Sequence, residues 1–464
     1  MTYVPITAVA VSLTDIGRTT GASTADLQWV QDAYVIPMAA AVLSAGIFGD
    51  LHGRRTLYLI GMILTVLGAA VAGLGGTLDD SSSVHILWVG QAIAGLGGGL
   101  LLPTTLAIVS HVARDGRERG RNIGLWASGL MLGLAVGPLI SGTVLESTSW
   151  GWIFAPTAAL SLLTAILAVA VLPDSRVVRG EHLDWPGQIL ATIAIAASIF
   201  GIIEGGEKGW SSGEAIVGLA LGALALVAFV IVEARSTSPL VALHLFRSPE
   251  FSAAGFAALT TLFSVVGSMF LLSLFLGYAQ GLSPLEVGVR MLFVTAVGAA
   301  VNPFVGHLTG RVPPASLLPV GLALGTIGIF FIGRIDETAT IGDLWWRLAI
   351  FGVSLAITLT SVSGAAINAV PLHLAGMAAA TNTALRQYGG ALGPAVLGSI
   401  YQARLHSGAT LTEAFSTALT VNAALLAVAT AACVVAGRVR RNPTEMTTSP
   451  DGHIAHRREA ATGA

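Results

Sequence analysis

Apolar stretches of roughly twenty residues, each closed by a short polar break, repeat from the start of this chain almost to its end. A helix needs about 20 mostly apolar residues to cross the hydrocarbon core of a bilayer. The pattern predicts about fourteen spans, near residues 1–16, 27–48, 56–76, 86–109, 124–145, 153–173, 186–204, 214–233, 252–276, 285–305, 313–333, 343–366, 378–402 and 413–436. After 437 the chain turns polar, with Pro443 and Pro450, and a disordered tail is expected over 437–464. The first stretch is short for a span and holds Pro5, so the native start is expected to lie upstream of Met1.

Two of these stretches carry more glycine and proline than a lipid-facing helix should. GLWASGLMLGLAVGPLISG, over 124–142, includes Gly133, Gly137, Pro138 and Gly142; GGALGPAVLG, over 389–398, includes Gly389, Gly393, Pro394 and Gly398. In a helix interior glycine costs about 1 kcal/mol relative to alanine, and proline about 3 kcal/mol. Inside a membrane bundle small residues let backbones approach, and neighbouring helices absorb a kink. Both segments are therefore predicted to be bent helices pressed against other helices. A second pair of signatures sits upstream of each: GIFGDLHGRR over 46–55 and the weaker GHLTGR over 306–311. The same order at nearly the same separation predicts a six-span repeat, with spans seven and eight as an insert. The expected architecture is an all-α polytopic membrane protein: a first six-helix bundle over 1–173, two inserted helices and linkers over 174–250, and a second bundle over 251–436. Duplicated bundles of this kind rock around a site at the midplane.

Composition agrees. Of 464 residues 54% are hydrophobic and 10% charged, and mean hydropathy is +0.79; soluble domains carry roughly 25% charged residues. The single cysteine, Cys433, excludes a disulfide framework and a cysteine metal site. Arginines gather in alternate loops, among them Arg54, Arg55, Arg114, Arg117, Arg119, Arg121, Arg176, Arg179, Arg235 and Arg247. By the positive-inside rule these loops and both termini face the cytoplasm, in a bacterial plasma membrane. No phosphate-binding G-x-x-x-x-G-K-[ST] loop and no H-E-x-x-H ligand pair occurs, which argues against an ATP-driven machine and a metalloenzyme.

Few ionisable groups fall inside the predicted spans. Asp32 is either a proton-coupling carboxylate or a group in interfacial water. Arg386, near the middle of its span, is either a central polar site or a donor to nearby carbonyls; charges at that depth face a cavity or a partner. Gln91, Tyr34, Trp126, Asn302, Asn368, Asn382 and Tyr388 either line a substrate cavity or pack helices together. Glu204 and Glu233, at span ends, are expected to be solvated.

In its motifs the chain resembles the fourteen-span drug:proton antiporter family of the major facilitator superfamily. The signature G-x-x-x-D-x-x-G-R-R is present as Gly46, Asp50, Gly53, Arg54 and Arg55; LQWVQDAY over 27–34, RGRNIGLW over 119–126, LDWPG over 183–187, Pro239 with Leu240, and RQYGGALG over 386–393 follow in register. The resemblance implies that Asp50 and Arg54 latch the halves in one state, while Arg55 alone is equally read as a cytoplasmic anchor. It implies that the segment from Gly133 to Gly142 is a hinge and a barrier against leak. There are departures. Gln91 stands where the family has arginine, Pro5 and Ala10 stand where it has an acid and an asparagine, and Gly151 replaces the arginine of W-R-W. Two of these positions are tied to proton coupling in relatives.

The implied activity is proton-coupled efflux of small hydrophobic or amphipathic drugs or antibiotics by alternating access. No cofactor is expected beyond the proton gradient, and the implied partners are the substrate and the bilayer, with no nucleic acid and a monomeric state. The alternatives are export of a native metabolite or lipid, or uncoupled facilitation on the same fold.

Overall fold

Helix starts in this chain are written in capping residues. Ser23 with Asp26, Ser283 with Glu286 and Thr340 with Asp343 form reciprocal capping boxes, which satisfy backbone N–H groups that have no intrahelical partner. Pro249 and Pro284 occupy first turns, where the missing N–H costs nothing. In a computed structural model the chain is described over residues 2–78, 82–112, 115–172, 184–236, 239–241, 243–371 and 374–441. The linker from 173 to 183 and the tail from 442 onward, where sequence predicts disorder, lie outside the described residues.

Among the described residues there are fourteen α-helices: α1 (Val4–Thr20), α2 (Thr24–His52), α3 (Arg54–Gly75), α4 (Ser82–Val112), α5 (Gly116–Leu145), α6 (Ala155–Val171), α7 (Trp185–Lys208), α8 (Gly213–Arg235), α9 (Pro249–Leu274), α10 (Pro284–Thr309), α11 (Pro314–Ile332), α12 (Ile341–Asn368), α13 (Ala375–His406) and α14 (Leu411–Arg441). Among the described residues twelve helices are long and apolar enough to cross a membrane. The two that fall short of the expected fourteen are α1, with 17 residues, and α13. Thr381, Asn382, Arg386 and Gln387 dilute α13, which packs on α9, α2 and α7. Pro5 does not interrupt α1 as its sequence position suggested. The helix begins at Val4, so the proline sits in the first turn.

The predicted repeat is visible in the pairing of helices. In the first bundle α3 packs on α4, α2 on α4, α1 on α5 and α3 on α6; in the second, α11 packs on α12, α10 on α12, α9 on α13 and α11 on α14. Two crossed pairs, α2 with α13 and α5 with α10, join the bundles. The inserted α7 and α8 pack on each other, and α7 lies against both α2 and α13.

The two glycine-proline helices use their small residues in the same way. A Cβ at Gly137 would strike Thr7 of α1, and one at Gly142 would lie 2.9 Å from the Cα of Leu285 on α10. In the second bundle a Cβ at Gly389 would strike the Leu259 carbonyl of α9, one at Gly393 would lie 2.8 Å from the Gly267 nitrogen, and one at Gly398 would strike Gln28 of α2. Each helix thus meets the first helix of its own bundle midway and the second helix of the other bundle at its end. A similar contact explains one departure from the family pattern: a Cβ at Gly151 would lie 2.6 Å from the Gly73 carbonyl, which leaves no room for an arginine there.

Overpacking a membrane helix seam costs about 1–3 kcal/mol. Gly393→Val should therefore lower the thermal unfolding midpoint of the purified protein by several degrees, whereas Gly46→Val should leave it unchanged, since nothing lies within 4 Å of a Cβ at Gly46. Equal midpoints for the two variants would refute this reading of the glycine seam.

Candidate functional site

The near face is the one where α9 begins and α2 ends; the far face is where α9 ends and α2 begins. Backbone carbonyls of α13 and α9 accept the polar contacts of the far half of the seam. The Gln28 amide donates to the Pro394 carbonyl at 3.0 Å and to the Ala395 carbonyl at 3.3 Å, joining α2 to α13. Thr14 donates to the Ser273 carbonyl at 3.2 Å, and Arg18 donates to the Gly277 carbonyl at 2.7 Å, where α9 ends in a single π turn over Phe275–Ala279. Gly288 of α10 lies against the Pro138 carbonyl of α5. Towards the near face this closeness is lost. Nothing lies within 4 Å of a Cβ at Gly46, Gly129, Gly306 or Gly376. The bundles are closed at the far face, while these near-half glycines make no close helix contact.

Midway, α9 is almost wholly enclosed, and the void beside it is only about 10 Å³, lined by Tyr3, Thr7, Gln31, Leu134, Val265 and Met269 among others. That holds at most a single water. Gln31 lines this void, and α2 and α13 carry further polar groups with unfilled hydrogen-bonding capacity. Asp32 is fully buried and both its carboxylate oxygens are without a partner; the Gln31 Nε2, Thr381 hydroxyl, Asn382 Oδ1, Arg386 Nε and Gln387 Nε2 are unpartnered too. All lie on α2 or α13. An ionised Asp32 has no cation or donor to offset its desolvation in this state. Arg386, half-buried, forms no ion pair among the described residues. Thus α2 and α13 carry the acid and the base that sequence singled out, without joining them.

The remaining candidates fall in several places. The Gln91 amide donates to the Val30 carbonyl at 3.2 Å, tying α4 to α2. The Tyr34 hydroxyl donates to the Thr2 carbonyl at 2.6 Å, and the Asn382 amide to the Ala254 carbonyl at 3.4 Å. Trp126 donates to Thr105 at 3.0 Å, and Asn302 accepts from Thr360 at 2.7 Å. Asn368 is exposed at the end of α12. Tyr388 lines a separate cavity on the flank of the seam, formed with α7 and α8. The Asp50 carboxylate accepts from Arg54 at 2.8 Å, Arg54 reaches the Ala107 carbonyl and Arg55 the Val169 carbonyl. Among the described residues every partner in that motif belongs to the first bundle. Sequence reading gave no role to Gln28, Gln31 and Gln387; their signal was present as glutamines in otherwise apolar spans. Glu233, expected to be solvated, is 3% exposed; the turn through Val241 folds back over it, a tertiary contact that span position does not reveal. Glu204 does pair at a helix end, with Lys208 at 2.9 Å.

A duplicated bundle pair closed at one face, with unpartnered polar groups along its seam, defines a multi-pass membrane transporter. The chain belongs to the Major Facilitator Superfamily, whose profile matches residues 1–394. It is 33% identical over 405 residues to the Multidrug resistance protein Stp of Mycobacterium tuberculosis, covering 87% of this chain and 74% of that protein. It is 28% identical over 402 residues to the Tetracenomycin C resistance and export protein of Streptomyces glaucescens, covering 86% and 73%. Among solved structures it superimposes on the xylose transporter XylE from E. coli in a partially occluded inward open conformation, with TM-score 0.64, 12% identity and 96% of each chain covered. It also matches a POT family transporter in complex with 5-aminolevulinic acid, with TM-score 0.69, 14% identity, and 96% and 95% covered. At these identities the two structures speak for the fold alone.

The Gln28 bonds give the seam a direct test. Each neutral hydrogen bond contributes about 0.5–1.5 kcal/mol. Gln28→Leu should therefore increase the population opened at the far face several-fold. Spin labels on the exposed positions Ser147 and Thr338, in a Cys433→Ser background, would report it as a longer inter-label distance. An unchanged distance distribution would show that the seam does not depend on this contact.

Proposed function

We propose that this protein is a proton-coupled exporter of hydrophobic or amphipathic antibiotics and drugs, working by alternating access in a bacterial plasma membrane. The observation that carries the coupling is Asp32. Among the described residues it is the one acid of the two bundles that is fully buried, and it has no partner in a state closed at the far face. A proton taken up by Asp32 removes the unpaired charge that opposes this state. Substrate loaded at the near face would then leave at the far face once the seam opens and the carboxyl is renewed from outside. The arginine-rich loops support a cytoplasmic near face and cytoplasmic termini. One charge moving through 100 mV supplies about 2.3 kcal/mol, on the order of a fiftyfold gradient of an uncharged substrate at one-to-one exchange. No ATP is required. Arg386, with a free Nε on the same seam, is suited to hold an electron-rich group of the substrate.

The names of the relatives support drug resistance as the outcome, and the export protein of Streptomyces glaucescens supports a second reading, removal of a compound made by the cell itself. Substrate profiling in an efflux-deficient host separates the two.

Inverted vesicles with an imposed pH gradient test the coupling. Wild type should accumulate substrate in response to the gradient. Asp32→Asn should lose that response, by at least about tenfold, while retaining exchange of substrate down its own gradient. Arg386→Ala should lower transport with or without the gradient. A wild type indifferent to pH would refute the antiport, and an Asp32→Asn variant that responds like wild type would refute the assignment of the carboxyl.

A further inference from the structure

The inserted hairpin holds groups that the cycle above does not use. Between α7 and α8 on one side and α2 and α13 on the other lies a cavity of about 250 Å³, with Leu43, Ala194, Ile195, Phe229, Leu385 and Tyr388 in its walls. One helical turn nearer the near face, α7 and α8 each contribute an acid. Asp184, 9% exposed, caps α7: one oxygen accepts from the Gly187 N–H at 2.9 Å and Oδ2 has no partner. Glu233, 3% exposed, accepts from the Val241 N–H at 3.1 Å with Oε2, and its Oε1 has no partner. A Cβ at Gly187 would lie 2.7 Å from Glu233 Oε1 and 3.1 Å from Asp184 Oδ2, so both free oxygens flank one point. Val241 itself borders the cavity, and Ala191 and Phe229, on the cavity wall, are one turn along from Gly187 and Glu233. Neither acid has an ion pair among the described residues. The nearby cations Arg235, His244 and Arg247 are exposed.

Buried carboxylate oxygens without donors are costly unless a cation meets them. An apolar chamber next to such a pair matches one kind of molecule. We infer that the hairpin and the seam form a side pocket for an amphipathic monovalent cation, with its apolar body in the cavity and its charged head on Asp184 and Glu233. A divalent metal is the poorer occupant: no group of three or more ligating side chains exists among the described residues, and the adjoining walls are apolar. The pocket sits against α2 and α13, the pair that closes the seam, so an occupant there touches both bundles. The inference rests on the export reading for its biological sense, and on geometry alone for the binding.

The test is equilibrium binding to the full chain in lipid nanodiscs. The probes are a fluorescent dimethylaminostyryl-N-methylpyridinium cation and its uncharged styrylpyridine parent. Wild type should bind the cation more tightly than the parent. Asp184→Asn combined with Glu233→Gln should weaken the cation by about tenfold or more, with the parent changed less than about twofold, as expected when only a charge contact is removed. Ala194→Trp, which fills the cavity, should weaken both. If the double variant does not fold, Gly187→Ala replaces it. Its Cβ would push Glu233 Oε1 aside, and it should weaken the cation selectively. Equal affinity of cation and parent for wild type, or a folded acid variant that binds the cation like wild type, overturns the pocket. Binding that follows this pattern in a protein that moves nothing in vesicles would overturn the export reading and leave the pocket standing.

Discussion

Helices in a bilayer gain nothing from hiding apolar surface from one another, because lipid is as apolar as leucine. What holds this protein together is backbone approaching backbone at glycine. Gly393 against Gly267, Gly142 against Leu285 and Gly288 against the Pro138 carbonyl are positions where one added carbon would collide with main chain. Close approach brings many dispersion contacts, each small, into range at once. It also makes the helix pairs sensitive to side-chain volume, so the seams act as fitted surfaces and not as a fluid core. Beside these glycines the Pro394 and Ala395 carbonyls accept from Gln28 on the opposing bundle.

The polar groups follow the same division of labour. Hydrogen bonds within a bundle, such as Gln91 to Val30, Trp126 to Thr105 and Asn302 to Thr360, tie helices that keep their pairing. Asp32, with both carboxylate oxygens unpartnered, and the Gln31 Nε2, Arg386 Nε and Gln387 Nε2 lie on the helices that pair across bundles, although unpartnered hydroxyls such as Ser83, Ser161 and Ser361 lie elsewhere. An unpaired polar group in a low-dielectric interior favours any rearrangement or ligand that satisfies it. The seam is therefore the region where a proton or a substrate can change which state is lower in free energy.

Much of the architecture was legible in the chain. The repeat of G-x-x-x-G-P with its upstream G-x-x-x-D-x-x-G-R-R gave the duplication, and the matching helix pairs of the two bundles follow it. The apolar pattern predicts α13 over 378–402, although the helix is more polar than the other spans, because a helix enclosed by other helices can carry Thr381, Asn382, Arg386 and Gln387. Site residues were harder to read. Sequence shows that a residue lies in a span, but not which face it presents. Tyr388 looks like a cavity-lining residue of the centre and instead borders the flank, while Gln28 looks unremarkable and joins the bundles. Glu233 was misjudged for the same reason. Its burial comes from the turn through Val241, which no periodicity encodes.

The seam must be weak for such a machine to turn. The polar contacts that close the far face are a handful of neutral hydrogen bonds, each worth about 0.5–1.5 kcal/mol, and one from Arg18, worth about 1.5–3 kcal/mol. A state open at the far face would exchange these for contacts at the near face, where Asp50 and Arg54 here pair within the first bundle. If the two sets differ by only a few kcal/mol, then neutralising one buried carboxyl, at 1.36 kcal/mol for each pKa unit of difference between the states, is enough to tip the balance. A far-face closure built from strong buried ion pairs would lie beyond that reach. Glycine contacts, which separate without stranding charge, keep the two states close in free energy.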